Sequence, residues 1–188
     1  MANLLLLSCC APCSAGVIKK LAEEKRQFSV LFFNPNIAPQ EEYLRRLEAN
    51  KKVCEHFGIN FIELPPDHNA WLKDVAAGFE KEPERGARCK RCFLYRLKQA
   101  AKYAKENGFE MFSSVLGISR YKDLASVNAA AEIAQKEIGI VYDFTNWRKN
   151  AAEQDGIKIV KQLDLYIQKY CGCEFSKNHL KTYIFSVL

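Results

Sequence analysis

The sequence is short of the residues that most often hold a metal or announce a leader. It has three histidines, His56, His68 and His179, and no two stand at a metal-binding spacing. No apolar run approaches the roughly 20 residues needed to span a bilayer, so a transmembrane segment is not expected. The apolar run at residues 4–7 is too short for a secretory signal, and no basic stretch precedes it, so an export leader is not expected either. Internal repeats and low-complexity stretches are absent. Cysteine, by contrast, is abundant, with eight in 188 residues. In a chain expected to be cytoplasmic, clustered thiols point to metal or redox chemistry and not to a disulfide framework.

A hydrophobic content of 48% and a charged content of 27% suit one soluble domain over residues 1–188. The net charge of +6 suits a polyanionic partner such as nucleic acid. Buried strands are expected at residues 3–7, 28–33, 60–64, 111–115 and 140–144. Between them, helices are expected after a cap at Ser14 or a neighbour, then over residues 40–57, 69–77, 92–107 and 123–137. On the second of these, Tyr43, Leu47, Asn50, Cys54 and Phe57 share one face. Residues 78–91 read as a charged loop, and the chain beyond residue 144 reads as helical to about residue 170. A basic tail with Lys177, His179 and Lys181 follows. The alternation predicts an α/β fold: a mostly parallel five-stranded sheet flanked by helices, with a short C-terminal cysteine-bearing segment. Ligands of such sheets bind beyond the carboxyl ends of the strands, where the loops at Cys9, Asn34 and Gly117 fall.

The cysteines form three groups. Ser8-Cys9-Cys10-Ala11-Pro12-Cys13 follows the first strand, Cys89 and Cys92 form C-x-x-C, and Cys171-Gly172-Cys173 lies near the end. Residues three apart on a helix can aim two sulfurs at one metal. Arg85, Arg88, Lys90 and Arg91, with the positive helix end, are expected to favour a thiolate at Cys89. All-cysteine sites suit zinc or an iron–sulfur cluster. A zinc ribbon wants its two hooks about 15–20 residues apart; here the other group lies some eighty residues upstream. Adjacent cysteines also suit the separated corners of a cluster better than a single tetrahedral ion, which favours [4Fe–4S] over zinc. Cys171 and Cys173 read equally as a strained, redox-active disulfide or as further ligands. Cys13 is a ligand to the cluster or to a second metal, or a spare thiol. Cys54, on an apolar helix face, is expected to be a small buried hydrophobe. Asn34, Asn36, Tyr43, Arg45 and Arg46 either face a substrate or serve turn and surface roles. Trp71 and Trp147 are expected in the core or at its rim.

Taken in order, Ser8-Cys9-Cys10-Ala11-Pro12-Cys13, Asn34-Pro35-Asn36-Ile37 with Glu42-Tyr43 and Arg46, Glu80 to Cys89 with Cys92 and Arg96-Leu97, and Tyr170-Cys171-Gly172-Cys173 resemble the QueH-type epoxyqueuosine reductases. The resemblance runs from residue 8 to residue 173. It implies an ATP-pyrophosphatase-like (HUP) fold and reduction of epoxyqueuosine to queuosine at the wobble position of tRNAs with GUN anticodons (Asp, Asn, His, Tyr). It implies that Cys9, Cys10, Cys89 and Cys92 hold a [4Fe–4S] cluster and that Cys171 and Cys173 are a redox-active pair. Cys13 stands where the family carries cysteine or aspartate, which would suit a second, mononuclear iron or a substrate-side ligand. Where a basic residue follows Asp143-Phe144 directly in the family, Thr145-Asn146-Trp147 here precede Arg148.

Such a reaction takes two electrons and two protons, and an external donor such as ferredoxin or flavodoxin is implied. Tyr43 and Asp143 are candidate acids for the leaving oxygen. Two other readings compete. One is an ATP-pyrophosphatase-like tRNA sulfurtransferase, though cysteines stand where that enzyme's Ser-Gly-Gly phosphate cradle would be. The other is a zinc-stapled RNA-binding module.

Overall fold

In a computed structural model, residues 3–149 and 152–176 are described. The tail residues Lys177, His179 and Lys181 lie outside them. Five strands, β1 (Leu4–Ser8), β2 (Phe28–Phe32), β3 (Asn60–Glu63), β4 (Met111–Ser114) and β5 (Val141–Tyr142), form one sheet in the order β3-β2-β1-β4-β5, every pair parallel. Four consecutive leucines make β1 apolar on both faces, and all four are fully buried, as a central parallel strand requires. The edge strands are short, four residues in β3 and two in β5, which limits the unpaired backbone they present.

The helices are α1 (Ala11–Glu23), α2 (Gln40–Phe57), α3 (His68–Trp71, continued by a π-helical turn over Leu72–Ala76), α4 (Ala87–Glu106), α5 (Leu124–Ile138) and α6 (Ala152–Gln162). Helix α1 packs against α2 and α6, while α4 packs against α5. Winding runs outward from β1 in one direction to β3 and in the other to β5. The crevice where it reverses therefore opens between the carboxyl ends of β1 and β4. The Cys9 loop and the Gly117 loop meet there.

Two boundaries differ from expectation in ways that matter. Helix α4 begins at Ala87, not at Cys92, because the Glu82 carboxylate accepts a hydrogen bond from the Ala87 N–H at 2.9 Å and takes up an otherwise orphan donor. Cys89 and Cys92 thus share one face one turn apart. Helix α6 ends at Gln162, short of residue 170: Asp164 has φ +49°, and the chain runs on without helix toward Cys171.

Helix α6 is seated by two glycines. A Cβ on Gly16 would come within 1.9 Å of the Ala152 carbonyl oxygen, and one on Gly156 within 2.3 Å of the Pro12 carbonyl oxygen. Backbone atoms cannot swing aside, so Gly16→Ala or Gly156→Ala should push α6 off α1. Each is expected to destabilise by about 1–3 kcal/mol, despite a helix-propensity gain of about 1 kcal/mol. Thermal unfolding checks this, at roughly 2–4 °C per kcal/mol; an unchanged Tm would show that the helices do not meet this closely.

Candidate metal centre

At the end of β1 the chain turns directly into α1. Cys10 is the N-cap residue, with extended backbone (φ −170°, ψ 152°), and its carbonyl accepts the N–H groups of Cys13 and Ser14 at 3.2 and 3.1 Å. Pro12 in the first turn removes only a donor the helix would have left unpaired. Of the positions open to the cap, Ser14 or a neighbour, it is Cys10 that holds it and not Ser14. The Ser14 hydroxyl lies 3.0 Å from the Cys10 carbonyl oxygen and 2.9 Å from Asn50 Oδ1. Asn50, fully buried on α2, also accepts from the Ser8 hydroxyl and donates to the Arg46 carbonyl at 2.8 Å. On the other side, Asn34 donates to the Ser8 carbonyl at 3.0 Å, and Arg96 donates to Asn34 Oδ1 and to the Phe33 carbonyl. The loop is thus held by satisfied buried polar groups from α2, α4 and the end of β2.

This turn brings three sulfurs together. Cys9 and Cys10 Sγ stand 3.6 Å apart, and the sulfurs of Cys9, Cys10 and Cys13 all lie within 4.8 Å of one another. Two thiolates about 2.3 Å from one tetrahedral metal stand about 3.8 Å apart, so the donor set fits a single ion. Thiolates on different corners of a cluster would be held farther apart by the separation of the metals. Adjacency in sequence, expected to disfavour a single ion, does not do so here, because the switch from extended to helical backbone at Cys10 turns the sulfurs together. The Cys9 thiol is held well below the usual range by hydrogen bonds from Cys10 and Cys13, with Lys122 and Arg96 adding to them against burial. Cys10, although its contact with Cys13 favours the thiolate, is pushed up to about 12 by Cys9 and by burial. Cys13 is raised by Cys10 and Cys9.

The other four functional cysteines form a second group. Cys89 and Cys92 on α4 line a narrow cavity with Cys171 and Cys173. All eight cysteines of the chain are free thiols, so Cys171 and Cys173 are not bridged. The arginines near Cys89 do not produce the expected thiolate. Burial and Cys171 push Cys89 up to about 12, and burial pushes Cys92 up to about 11 and Cys173 up to about 12. The guanidinium groups are engaged elsewhere: Arg88 donates to the carbonyls of Phe79, Glu80 and Glu82, and Arg91 donates to that of Asp74. A metal must therefore displace the thiol protons, and its affinity falls as pH falls.

Beside the first group opens a larger cavity of about 560 Å³, lined by Cys9, Cys10 and Cys13 and by Asn34, Asn36, Arg46, Arg96, Tyr121, Lys122, Tyr170 and Cys171. Asn36 Oδ1 and Gln168 Oε1 are buried and unpartnered among the described residues, and so offer acceptors to a ligand that carries donors. Gln168 Nε2 donates to Cys10 Sγ at 2.9 Å. Of the residues weighed from sequence, Asn34, Asn36 and Arg46 face this cavity. Tyr43 does not: it is buried against Phe32, and its hydroxyl donates to Glu63 at 2.9 Å. Asp143 pairs with Arg26 at 3.1 Å and is also outside the lining, so neither candidate acid reaches the cavity. Arg45 lies over the Tyr166 ring, and Cys54, Trp71 and Trp147 are buried. Lys122, Tyr121 and Gln168 were missed, and Arg96 stood only as part of the family motif, with no role assigned to it. The one available signal was that Lys122 and Tyr121 follow Gly117 in a loop already placed beyond the fourth strand.

Arg46 latches the C-terminal cysteines to the sheet. Almost fully buried, it pairs with Glu42 at 2.6 Å and donates to the carbonyls of Cys171 and Tyr170 at 2.9 and 3.0 Å. Arg46→Met would leave the buried Glu42 carboxylate unpaired and release the Cys171 segment. A loss of about 3–5 kcal/mol is expected in denaturant unfolding. Arg46→Met should also speed alkylation of Cys173; an unchanged rate would show that the latch does not hold the segment.

A family model described as "Epoxyqueuosine reductase QueH" matches residues 4–179. The epoxyqueuosine reductase QueH of Histophilus somni is 47% identical over 175 residues, which cover 93% of this chain and 72% of that protein. That of Dehalococcoides mccartyi is 39% identical over 176 residues, covering 93% and 92%. Among solved structures, the U34-tRNA thiolase NcsA of Methanococcus maripaludis, with its [4Fe–4S] cluster, superposes with a TM-score of 0.58 at 14% identity over 96% of this chain and 64% of that one. A predicted tRNA methyltransferase subunit from Methanocaldococcus jannaschii gives 0.55 at 11% identity, covering 88% and 89%. These two likenesses show the fold: a five-stranded parallel sheet flanked by helices, arranged as in those two proteins. With a matching family model over nearly the whole chain and relatives at up to 47% identity behind it, the chain belongs to the epoxyqueuosine reductase QueH family.

Proposed function

We propose that the chain, acting as one domain over residues 1–188, reduces epoxyqueuosine to queuosine in tRNA. The single observation that carries this beyond family membership is the pairing of two buried thiol groups with one cavity of nucleoside size. The epoxide accepts two electrons and two protons; both C–O bonds break, the alkene forms, and the oxygen leaves as water. In the cavity, Asn36 and Gln168 offer acceptors to the base or diol, and Tyr121 and Tyr170 offer aromatic surface. The wobble nucleoside reaches this depth only if the anticodon loop splays open. Substrate tRNAs with GUN anticodons (Asp, Asn, His, Tyr) and a ferredoxin or flavodoxin donor complete the reading. Among the described residues no helix is long and apolar enough to cross a membrane, and a cytoplasmic setting would keep the thiols reduced.

The thiols fit iron in two places. Cys89, Cys92, Cys171 and Cys173 offer four sulfurs for a [4Fe–4S] cluster, and Cys9, Cys10 and Cys13 offer three for a mononuclear iron that keeps a position open to the cavity. A cluster supplies electrons singly, and an iron with an open position supplies a Lewis acid for the oxygen. The motif-based set of Cys9, Cys10, Cys89 and Cys92 would instead spread one cluster over both groups and leave Cys171 and Cys173 as a redox pair. The 3.6 Å separation of the Cys9 and Cys10 sulfurs favours the first division.

Anaerobic iron and sulfide counting separates the two. The reconstituted chain should hold about five irons and about four sulfides. Cys89→Ser should lose the brown absorbance and turnover together. Cys9→Ser should keep the absorbance, lose about one iron and lose turnover. Bleaching by Cys9→Ser would return the ligands to the spread-out set. A colourless Cys89→Ser protein that still reduced epoxyqueuosine-tRNA would remove the cluster from the reaction.

A further inference from the structure

One cation at the centre stands apart. Arg46 is committed to Glu42 and to the carbonyls of Tyr170 and Cys171, and Arg96 to the Phe33 carbonyl and Asn34. Lys122, which lines both cavities, makes no ion pair with a carboxylate among the described residues. It lines the larger cavity together with Cys9, Cys10, Cys13 and Cys171, and the narrow one together with Cys89, Cys92, Cys171 and Cys173.

Its loop is clamped by two arginines from distant parts of the chain. Arg148 donates from Nε to the Gly117 carbonyl at 2.7 Å, and from Nη2 to the carbonyls of Ser119 and Lys122 at 2.8 and 2.6 Å. Arg85 donates to the carbonyls of Tyr121 and Arg120 at 3.0 and 3.3 Å. Within the loop, the Lys122 N–H donates to the Ser119 carbonyl at 3.1 Å. Two charged side chains spent on five carbonyls of a loop residing at the sheet's switch point make a rigid mount. Lys122 is the charged side chain that this mount carries toward the sulfurs.

We infer that Lys122 is the positioning cation of the metal centre: a fixed ammonium, mounted by Arg85 and Arg148 between the Cys9–Cys10–Cys13 group and Cys171, that offsets the thiolate charge of the loaded site. The inference rests on the proposed metal reading. An iron(II) or cobalt(II) ion with three thiolates carries net negative charge. Enclosing that charge is costly without a cation nearby. Lys122 therefore strengthens metal retention and makes the centre easier to reduce. It acts through the sulfurs and not on the substrate.

The test titrates the whole reduced, metal-free chain with Co²⁺ under anaerobic conditions, reading the thiolate-to-cobalt absorbance. At an effective dielectric near 20, loss of one neighbouring charge is worth at least about a tenfold change. Lys122→Met should therefore bind Co²⁺ at least about tenfold more weakly, while Lys122→Arg should stay within about threefold of the parent. In the iron-loaded protein, the midpoint potential should move to more negative values in Lys122→Met and not in Lys122→Arg. Parent-like affinity and potential in Lys122→Met would overturn the inference, as would a Lys122→Arg protein as weak as Lys122→Met. A parent chain without any thiolate–cobalt band would instead remove the metal reading beneath it. If Lys122→Met does not fold, Arg148→Gln carries the same test by loosening the mount. It should weaken Co²⁺ binding in the same direction, and parent-like binding there would also overturn the proposal.

Discussion

Sulfur gathered out of water needs positive charge, and the architecture around the crevice supplies it. Seven cysteines meet at the carboxyl end of the sheet in two groups, and Arg46, Arg96 and Lys122 border the cavities they line. Each cation is fixed by a different device. Arg46 is held by a buried carboxylate on its own helix, Arg96 by the carbonyl and amide after β2, and Lys122 by the arginine-clamped loop after β4. A long side chain left free would lose most of the benefit to rotamer entropy. Within this enclosure the Cys9 thiol is held below its usual range by its hydrogen bonds from Cys10 and Cys13, whereas burial raises Cys89, Cys92 and Cys173, whose neighbouring arginines are engaged elsewhere. The two groups therefore differ electrostatically before any metal arrives.

The scaffold beneath is simple by comparison. Four buried leucines fix β1 at the centre of the sheet, and reversal of winding beside it leaves a crevice between β1 and β4. The loops on either side are joined by polar side chains rather than by apolar packing. Asn50 ties the cysteine turn to α2, and Asn34 ties it to the end of β2. A turn that cradles phosphate presents glycines and free N–H groups. Here the N–H groups of Cys13 and Ser14 are spent on the Cys10 carbonyl, and three thiols line the turn. The turn thus lacks the cradle on which an ATP-dependent sulfurtransferase reading depends.

Much of this was legible in the chain itself. Period and composition placed all five strands within a residue or two, most plainly β1 and β2, which are buried throughout and so read as apolar runs. Residues 40–57 were read to their ends because Gly58 marks the stop, with φ +65°. The start of α4 was not legible: the side chain that completes its first turn, Glu82, sits five residues before Ala87 and looks like one more charge in a charged loop. The end of α6 was misplaced because the apolar residues that follow it serve the cavity wall, where Ile167 stands, and not a helix face. Arg148 looked displaced from its family position. Its reach to the carbonyls of the Gly117 loop shows what a basic residue there does.

Residue types and order alone determined that the chain is a parallel α/β protein with its thiols at the strand ends, because apolar runs, turn residues and cysteine spacing are local properties. They also sufficed to mark the family. Which sulfurs share a metal was a different kind of question. Spacing along the chain pairs Cys10 with Cys13 and Cys89 with Cys92 alike, but it carries no information on whether Cys171 meets Cys89 or Cys9. Tertiary structure brings the sulfurs into two groups by the switch from extended to helical backbone at Cys10, the early start of α4 and the Arg46 latch. Charge was likewise settled only in three dimensions. Arginines next to Cys89 in sequence turn away to carbonyls, while Lys122, over thirty residues further along the chain, is carried to the sulfurs. Electrostatic interaction follows distance through space, and folding alone sets that distance.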